Sequence, residues 1–394
     1  MNKDKSTGTP SQVDTKLVTA GRDPQGNFGF VNPPVYHGST VLFPTAEKLI
    51  NRDQAYLYGR RGTPTSDALE SAITEIHGAF GTKVTSSGLG AITTALLSYL
   101  KSGDHVLVTD SVYRPTRLFC DSMLGKFGVE TTYYDPLIGA GISALMKPST
   151  RLVFTECPGS QTMEVQDLPA IVKAAHEHGA LVATDNTWST PVFFDAFGHG
   201  IDIAVQAGTK YIVGHSDVMI GSVTVSEELW PQLREGFDML GQCVGPDDIY
   251  LALRGLRTMG VRLDRHMTSG QEIAQWLDSR PEVDLVLHPA LENSPGHDIW
   301  KRDFTGASGL FSVVLRATSK AALHAFLDGL ELFGMGYSWG GYESLVVPFK
   351  PDAYRSATQW QHEGPALRFH IGLEDTADLR RDLEAGFDRM AALT

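Results

Sequence analysis

The chain has 394 residues, 42% of them apolar and 20% charged, enough for a sizeable buried core and more than one domain. A formal charge of −13 argues against non-specific binding to nucleic acid or to an anionic membrane surface. The cysteines are Cys120, Cys157 and Cys243; three cannot pair off and no CxxC is present, so neither a disulfide framework nor a zinc knuckle is expected.

The first fourteen residues, MNKDKSTGTPSQVD, are polar and lead into no apolar h-region, so a secretory signal is not expected. No run approaches the roughly 18 uninterrupted apolar residues of a membrane span, and a cytoplasmic protein is the expectation. This start and the following GRDPQGNFGFVNPP read as an irregular arm, in which Phe28, Phe30 and Val31 ask for something to pack on; a partner subunit is one candidate. From about residue 65 the pattern changes. SDALESAITEIHGAF carries apolar residues at helical spacing and ends near a glycine. Short apolar runs then alternate with helical segments. The runs are VLVT (106–109), RLVFT (151–155), ALVATD (180–185), DIAVQA (202–207) and MIGSVTV (219–225). Near-continuous apolar strands separated by helices predict a mainly parallel sheet covered on both faces, and hence an α/β fold. Past residue 250, YLALRGLRTMGVRLDRHMTSGQEIAQWL predicts one or two long helices. The rest mixes strands (GLFSVVLR, LRFHIGL) with helices (KAALHAFLDGL and the C-terminal DLRRDLEAGFDRMAAL), as in a smaller α+β domain.

Three segments carry candidate chemistry. SSGLGAITTALLSYL (86–100) leads through Gly88-Leu89-Gly90 into a helix, whose exposed N–H groups and dipole favour an anion. The plainer reading is a well-capped helix. A dinucleotide fingerprint would need a third glycine where Thr93 stands, a preceding strand and an acid about 20 residues on. ALVATDNTW ends a buried strand at Asp185, where carboxylates of parallel sheets point into the ligand crevice, although a lone acid there also serves as a turn or cap residue. DIAVQAGTKYIVGHSD places Lys210 after another buried strand. A partly desolvated lysine loses proton affinity and becomes a nucleophile or base, whereas a lysine that snorkels to solvent does neither. Asp185 and Lys210 lie one strand–crossover–strand unit apart, so they share a sheet edge. An anion cradle, an acid and a lysine at one edge are the parts that pyridoxal phosphate needs. His176 and His178 lie two apart on a predicted helix and share no face, so no metal site is expected from them.

Seven motifs in order make the chain resemble the Cys/Met-metabolism family of pyridoxal-phosphate enzymes, from about residue 16 to the C-terminus. They are YGRRGTPT (58–65), SSGLGA (86–91), VYRPTR (112–117), TDNTW (184–188), AGTKYIVGHSD (207–217), YSWGGYES (337–344) and RFHIGLED (368–375). DPLIGA, PGSQTMEV, GHDIWKRDFTG and YSWGGYES are most similar to the bacterial β-lyases of that family. The resemblance implies a fold-type I transferase-like architecture: an arm over 1–60 that contributes to a neighbouring subunit, a cofactor-binding α/β domain over 61–255 with a seven-stranded, mainly parallel sheet, and an α+β domain over 256–394. It implies that Lys210 carries the cofactor and then moves the proton at the substrate Cα. Asp185 would pair with the pyridine nitrogen and Tyr113 would stack on the ring and meet the substrate. The backbone of Gly88 and Leu89 and the Thr209 hydroxyl would hold the phosphate. Tyr58 and Arg60 would reach it from a neighbouring subunit of a homotetramer built as a dimer of dimers, Tyr58 also meeting the substrate. Arg368 would clamp the substrate α-carboxylate, with Ser338, Trp339 and Tyr337 lining the same site.

Two departures from the family pattern matter. Many relatives have a serine where this chain has Ala207, which removes one phosphate donor. Many γ-lyases and γ-synthases have an acidic residue where Tyr337 stands. An aromatic Tyr337–Trp339 pair cannot accept a distal ammonium as a carboxylate does, which favours α,β-elimination on L-cystathionine, and on cystine and related S-substituted cysteines. γ-Elimination, γ-synthesis and cysteine desulfuration are the alternatives inside the family, and a dinucleotide oxidoreductase the alternative outside it.

Overall fold

The computed structural model describes residues 11–393; the first ten residues of the polar arm and Thr394 lie outside them. Seven strands form the larger sheet: β1 (Gly81–Thr85), β2 (His105–Thr109), β3 (Glu130–Tyr134), β4 (Thr150–Glu156), β5 (Leu181–Asp185), β6 (Ile203–Gln206) and β7 (Gly221–Val225). Their spatial order is β1-β7-β6-β5-β4-β2-β3. Only β7 runs against the others, pairing antiparallel with both β6 and β1. Five of the seven are the apolar runs of the sequence. Along them the side chains alternate between two buried layers: Leu107, Val153, Val182 and Ala204 enter one, while Val106, Val108, Leu152, Phe154, Ala183, Ile203 and Val205 enter the other. A sheet buried on both faces needs apolar residues at every position, which is why these runs are continuous rather than alternating.

The other two strands lacked that signature. In β1, Lys83 is buried, its Nζ 2.8 Å from Glu70 Oε2, so a charge interrupts a five-residue run. β3 is an edge strand, ETTYY, with its first residue exposed and the next three half-buried. The polar N-terminal start holds a helix, Val13–Thr19, where an irregular arm was expected. Its one buried side chain is Leu17, and Arg257 donates to the Leu17 and Ala20 carbonyls at 2.9 and 2.8 Å. Leu17, with Val13 packed beside it, and a borrowed guanidinium hold these roughly two turns, and neither leaves a periodic trace. Beyond it Phe28, Phe30 and Val31 are 96%, 73% and 59% exposed.

The stretch from 250 folds as two helices, Pro246–Leu256 and Met259–Asp278. A second, antiparallel sheet follows, with strands β8 (Val283–Leu287), β9 (Leu310–Leu315), β10 (Leu345–Phe349) and β11 (Ala366–His370) in the order β10-β11-β9-β8. Helices Met259–Asp278, Lys320–Asp328 and Thr376–Ala391 cover one face around Phe311, Phe326, Phe369 and Phe387. On β11, Leu367 and Phe369 enter this core, so Arg368 and His370 point the other way, towards the larger sheet. The α/β class and the mostly parallel seven-stranded sheet are as expected from sequence, and the smaller unit is built on this antiparallel sheet.

His77, His266 and His288 are buried, and burial lowers each imidazole from 6.5 to about 4. Each therefore titrates near 6.5 when unfolded and near 4 when folded. The stability this confers is complete above pH 6.5, declines by about 1.4 kcal/mol per histidine per pH unit below it, and is lost as pH falls through 4. Thermal melts are expected to show a midpoint dropping steeply between pH 6.5 and 4. A midpoint that holds steady down to pH 4.5 would contradict this.

Candidate active site

The ends of β1, β2, β4, β5 and β6 meet a loop and strand β11 of the smaller unit around one cavity of about 1720 Å³. Ser87, Gly88, Leu89, Tyr113, Asp185, Thr209, Lys210, Tyr337, Ser338, Trp339 and Arg368 all line it. The strand β6 ends at Gln206 and the chain returns as β7, so the intervening 207–214 turn stays at the sheet edge. Thr209 ties this turn down: its hydroxyl accepts from the Ile220 N–H at 2.9 Å and donates to the Ile220 carbonyl at 3.2 Å. That proton is thus engaged with backbone, whereas the sequence reading reserved it for a phosphate.

Lys210 is largely buried, and its Nζ donates to Ser338 Oγ at 2.7 Å and lies 5.5 Å from the Trp339 ring centre. Burial first, and then the nearby Arg368 charge, lower its amine from 10.5 to about 8, with Asp185 acting in the opposite sense. Behind it the buried Tyr211 ring packs at 5.5 Å against Trp339 and at 5.3 Å against His266. The 337–341 loop presses on the lysine: a Cβ on Gly340 would lie 3.0 Å from Lys210 Cα, and Gly340 has φ +80°. Ser338 itself has φ +108°, a conformation that costs a non-glycine residue on the order of 1–3 kcal/mol. It is held there from both ends, its hydroxyl by Lys210 and its carbonyl by Arg368 Nη2 at 3.1 Å.

Asp185 ends β5, buried. Its Oδ1 accepts from both the backbone N–H (3.0 Å) and the hydroxyl of Thr187, and that hydroxyl accepts in turn from the Ala207 N–H at 2.8 Å. Thr187 thus links the Asp185 and Lys210 strand ends, and Oδ2, which bonds none of the described residues, is left for a donor from the cavity. Burial raises the Asp185 carboxyl, against the Thr187 bonds and Lys210, so a cationic N–H partner is what would settle its charge. Gly88 opens the Gly88–Tyr99 helix, with Ser87 Oγ capping the Gly90 N–H at 3.0 Å. The first N–H groups of that helix have no intrahelical acceptor. A Cβ on Gly88 would come within 2.4 Å of the Ala207 Cβ, so only glycine leaves the cradle open. A helix N-terminus for a phosphate, a free carboxylate oxygen for a ring nitrogen and an amine of lowered proton affinity fit pyridoxal phosphate.

Arg368 is half-buried in the cavity wall, and among the described residues it has no carboxylate partner. Burial lowers its guanidinium to about 10, still cationic at neutral pH. An unpaired, half-buried cation facing a cavity marks a place for a substrate anion. Tyr337 is 89% exposed at the mouth. Tyr58 and Arg60 are elsewhere: they line a separate cavity of about 260 Å³, where Arg60 donates to the Asp238 carbonyl at 3.1 Å.

Glu156 was missed. It ends β4 in register with Asp185, lines the same cavity and accepts the Tyr113 N–H at 2.6 Å. Burial and the Asp185 charge raise its carboxyl well above the usual range. The rule that singled out Asp185, an acid closing a buried parallel strand, applies equally to RLVFTE. His176 pairs instead with Asp202, at 2.9 Å. Among the described residues no His, Cys, Asp or Glu cluster is placed to hold a metal, and no helix is long and apolar enough to cross a membrane.

The model of the family described as Cys/Met metabolism PLP-dependent enzyme matches residues 14–388. A putative cystathionine beta-lyase of Rhizobium johnstonii is 53% identical, over 97% of this chain and 97% of its own length. The cystathionine beta-lyase of Salmonella typhimurium is 46% identical, over 97% of this chain and all of its own. Among solved structures, cystathionine gamma synthase from Xanthomonas oryzae pv. oryzae, in complex with aminoacrylate and cysteine, superposes with a TM-score of 0.90. It is 33% identical and covers 98% of this chain and all of that one.

Proposed function

We infer that this chain, which belongs to the Cys/Met metabolism PLP-dependent enzyme family, is a carbon–sulfur lyase that cleaves L-cystathionine by α,β-elimination to homocysteine, pyruvate and ammonia. The observation that carries the reading is the convergence of Lys210, Asp185, the Gly88 helix N-terminus and the unpaired Arg368 on one cavity. Full-length similarity to cystathionine beta-lyases supports β- rather than γ-elimination, as does the aromatic pair Tyr337 and Trp339. Homocysteine is one methyl transfer short of methionine, which places the reaction in methionine biosynthesis. Cystine and other S-substituted cysteines share the reacting carbons and fall within the same range.

Bound pyridoxal phosphate supplies an electron sink for the charge that develops at the substrate Cα. The rest is the work of this chain. The N–H groups of Gly88 and Leu89 bind the phosphate, and Asp185 Oδ2 holds a proton on the ring nitrogen. Tyr113, its backbone N–H held by Glu156, would pack against the ring. Arg368 takes the substrate α-carboxylate and, with Ser338 and the Trp339 main chain, turns the Cα–H towards Lys210. Lys210 Nζ, neutral in much of the population near pH 8, removes that proton and is placed to return it to the departing sulfur, a duty that Tyr113 shares. Burial raises the Tyr113 phenol, then Glu156 and Asp185 push the same way, so this tyrosine acts as a neutral donor.

Tyr58 and Arg60 act, in this reading, on the phosphate of a neighbouring subunit, in a homotetramer made of two such dimers. Their lining of a separate cavity and the uncovered Phe28, Phe30 and Val31 support it, and the arm before residue 60 and a division near residue 255 belong to the same reading. The three unpaired cysteines agree with a cytoplasmic location. The deciding experiment supplies L-cystathionine to the purified holoenzyme. Pyruvate with homocysteine is expected; 2-oxobutyrate with cysteine would overturn the β-lyase reading.

A further inference from the structure

L-Cystathionine carries an amino-acid group at each end. Arg368 accounts for one carboxylate, and the other must lie further out in the same cavity. Arg114 follows Tyr113, lines that cavity, and has no acidic partner among the described residues. It is nevertheless fixed in place. Its guanidinium lies over the Tyr354 ring, 5.7 Å from the centre. Tyr354 in turn belongs to a strap that leaves the smaller unit after β10, crosses the cavity and is fastened to the larger one. The Tyr354 hydroxyl bonds Gln161, and Arg355 pairs with Glu164 at 2.7 Å. The buried carboxylate of Asp110 accepts the N–H groups of Ser356, Ala357 and Thr358 at 3.1, 3.0 and 2.8 Å, and also bonds Arg117. A surface arginine usually wanders; this one is held over the mouth by a clamped aromatic ring.

We propose that Arg114, presented by Tyr354, binds the distal carboxylate of the thioether substrate and so sets the preference for cystathionine over small S-alkylcysteines. The other cations on this cavity fit less well. Lys210 and Arg368 are already engaged at the Cα end, and among the described residues Lys320 and Lys350 have no ring or acid that fixes them at the mouth. The proposal rests on the β-lyase reading.

The test compares kcat/KM for L-cystathionine and for S-ethyl-L-cysteine, which lacks the distal group, by pyruvate release from the holoenzyme. Pyruvate from both substrates with the unaltered enzyme upholds the β-lyase reading independently of Arg114. In Arg114→Gln the ratio of cystathionine to S-ethylcysteine kcat/KM is expected to fall about ten- to hundredfold, the loss of one charge-assisted contact, mainly through KM. Arg114→Lys should recover part of it. Tyr354→Leu should lower the ratio too, and Tyr354→Phe, which keeps the ring, should lower it less. A ratio unchanged in Arg114→Gln, or a loss equal for the two substrates, would overturn the proposal while leaving the lyase reading intact.

Discussion

Lys210→Ala is expected to lose pyruvate release by about 10²–10⁴-fold from the missing proton transfer alone, with further loss from the missing cofactor attachment. The yellow colour of the lysine-bound holoenzyme should vanish with it. The environment explains why a lysine can serve. Burial and Arg368 bring the amine down to about 8. At pH 7.5 about a quarter of such amines are neutral, against about a thousandth at an ordinary value of 10.5. Only the neutral amine is a nucleophile or a base, so the sign is fixed. Reloading of the apoprotein with pyridoxal phosphate should accelerate about tenfold per pH unit below 8 and level off above it. A rate still climbing at pH 10 would show that the cavity does not lower the lysine. Wild-type activity in Lys210→Ala would remove Lys210 from the chemistry.

The second large effect belongs to Arg368. Removing one member of a buried, hydrogen-bonded charge pair costs about 2–5 kcal/mol, or roughly 30- to several thousand-fold in kcat/KM. Arg368→Ala is expected to fall in that range, mostly through KM, because the substrate carboxylate loses its counterion. Arg368→Lys should recover little, since an ammonium can neither fork onto a carboxylate nor keep the bond to the Ser338 carbonyl that holds this residue at φ +108°. Steady-state kinetics on the three proteins settles it, and a change under threefold in Arg368→Ala would place the α-carboxylate elsewhere.

The residues legible in the sequence were those whose function depends on where a strand stops. Asp185 and Lys210 close buried runs, and Gly88 opens a helix, so local pattern located all three. Glu156 closes a buried run as well and was open to the same argument. Arg368 and Ser338 became legible only through resemblance. Their roles depend on a loop at positive φ and a strand of the smaller sheet facing the larger one, and neither leaves a local trace. The contact between Arg114 and Tyr354 joins residues 240 positions apart through a clamp on Asp110, a long-range arrangement that no periodicity encodes. In β1 and β3 a paired buried lysine and a half-wet edge hid regular structure.

The alternation along β11 couples packing to selectivity. Phe369 lies in register with Phe311, their rings stacked at 5.9 Å in the core, while Arg368, one position away, faces the cavity. A slip of one residue would turn Leu367 and Phe369 towards the substrate and drive the guanidinium into the hydrophobic layer. The stacked phenylalanines thus act as an index mark for the arginine. A core variant at Phe311 that keeps the fold but loosens the register would surface in a genetic screen as methionine auxotrophy relieved by excess substrate, a phenotype usually traced to binding-site residues.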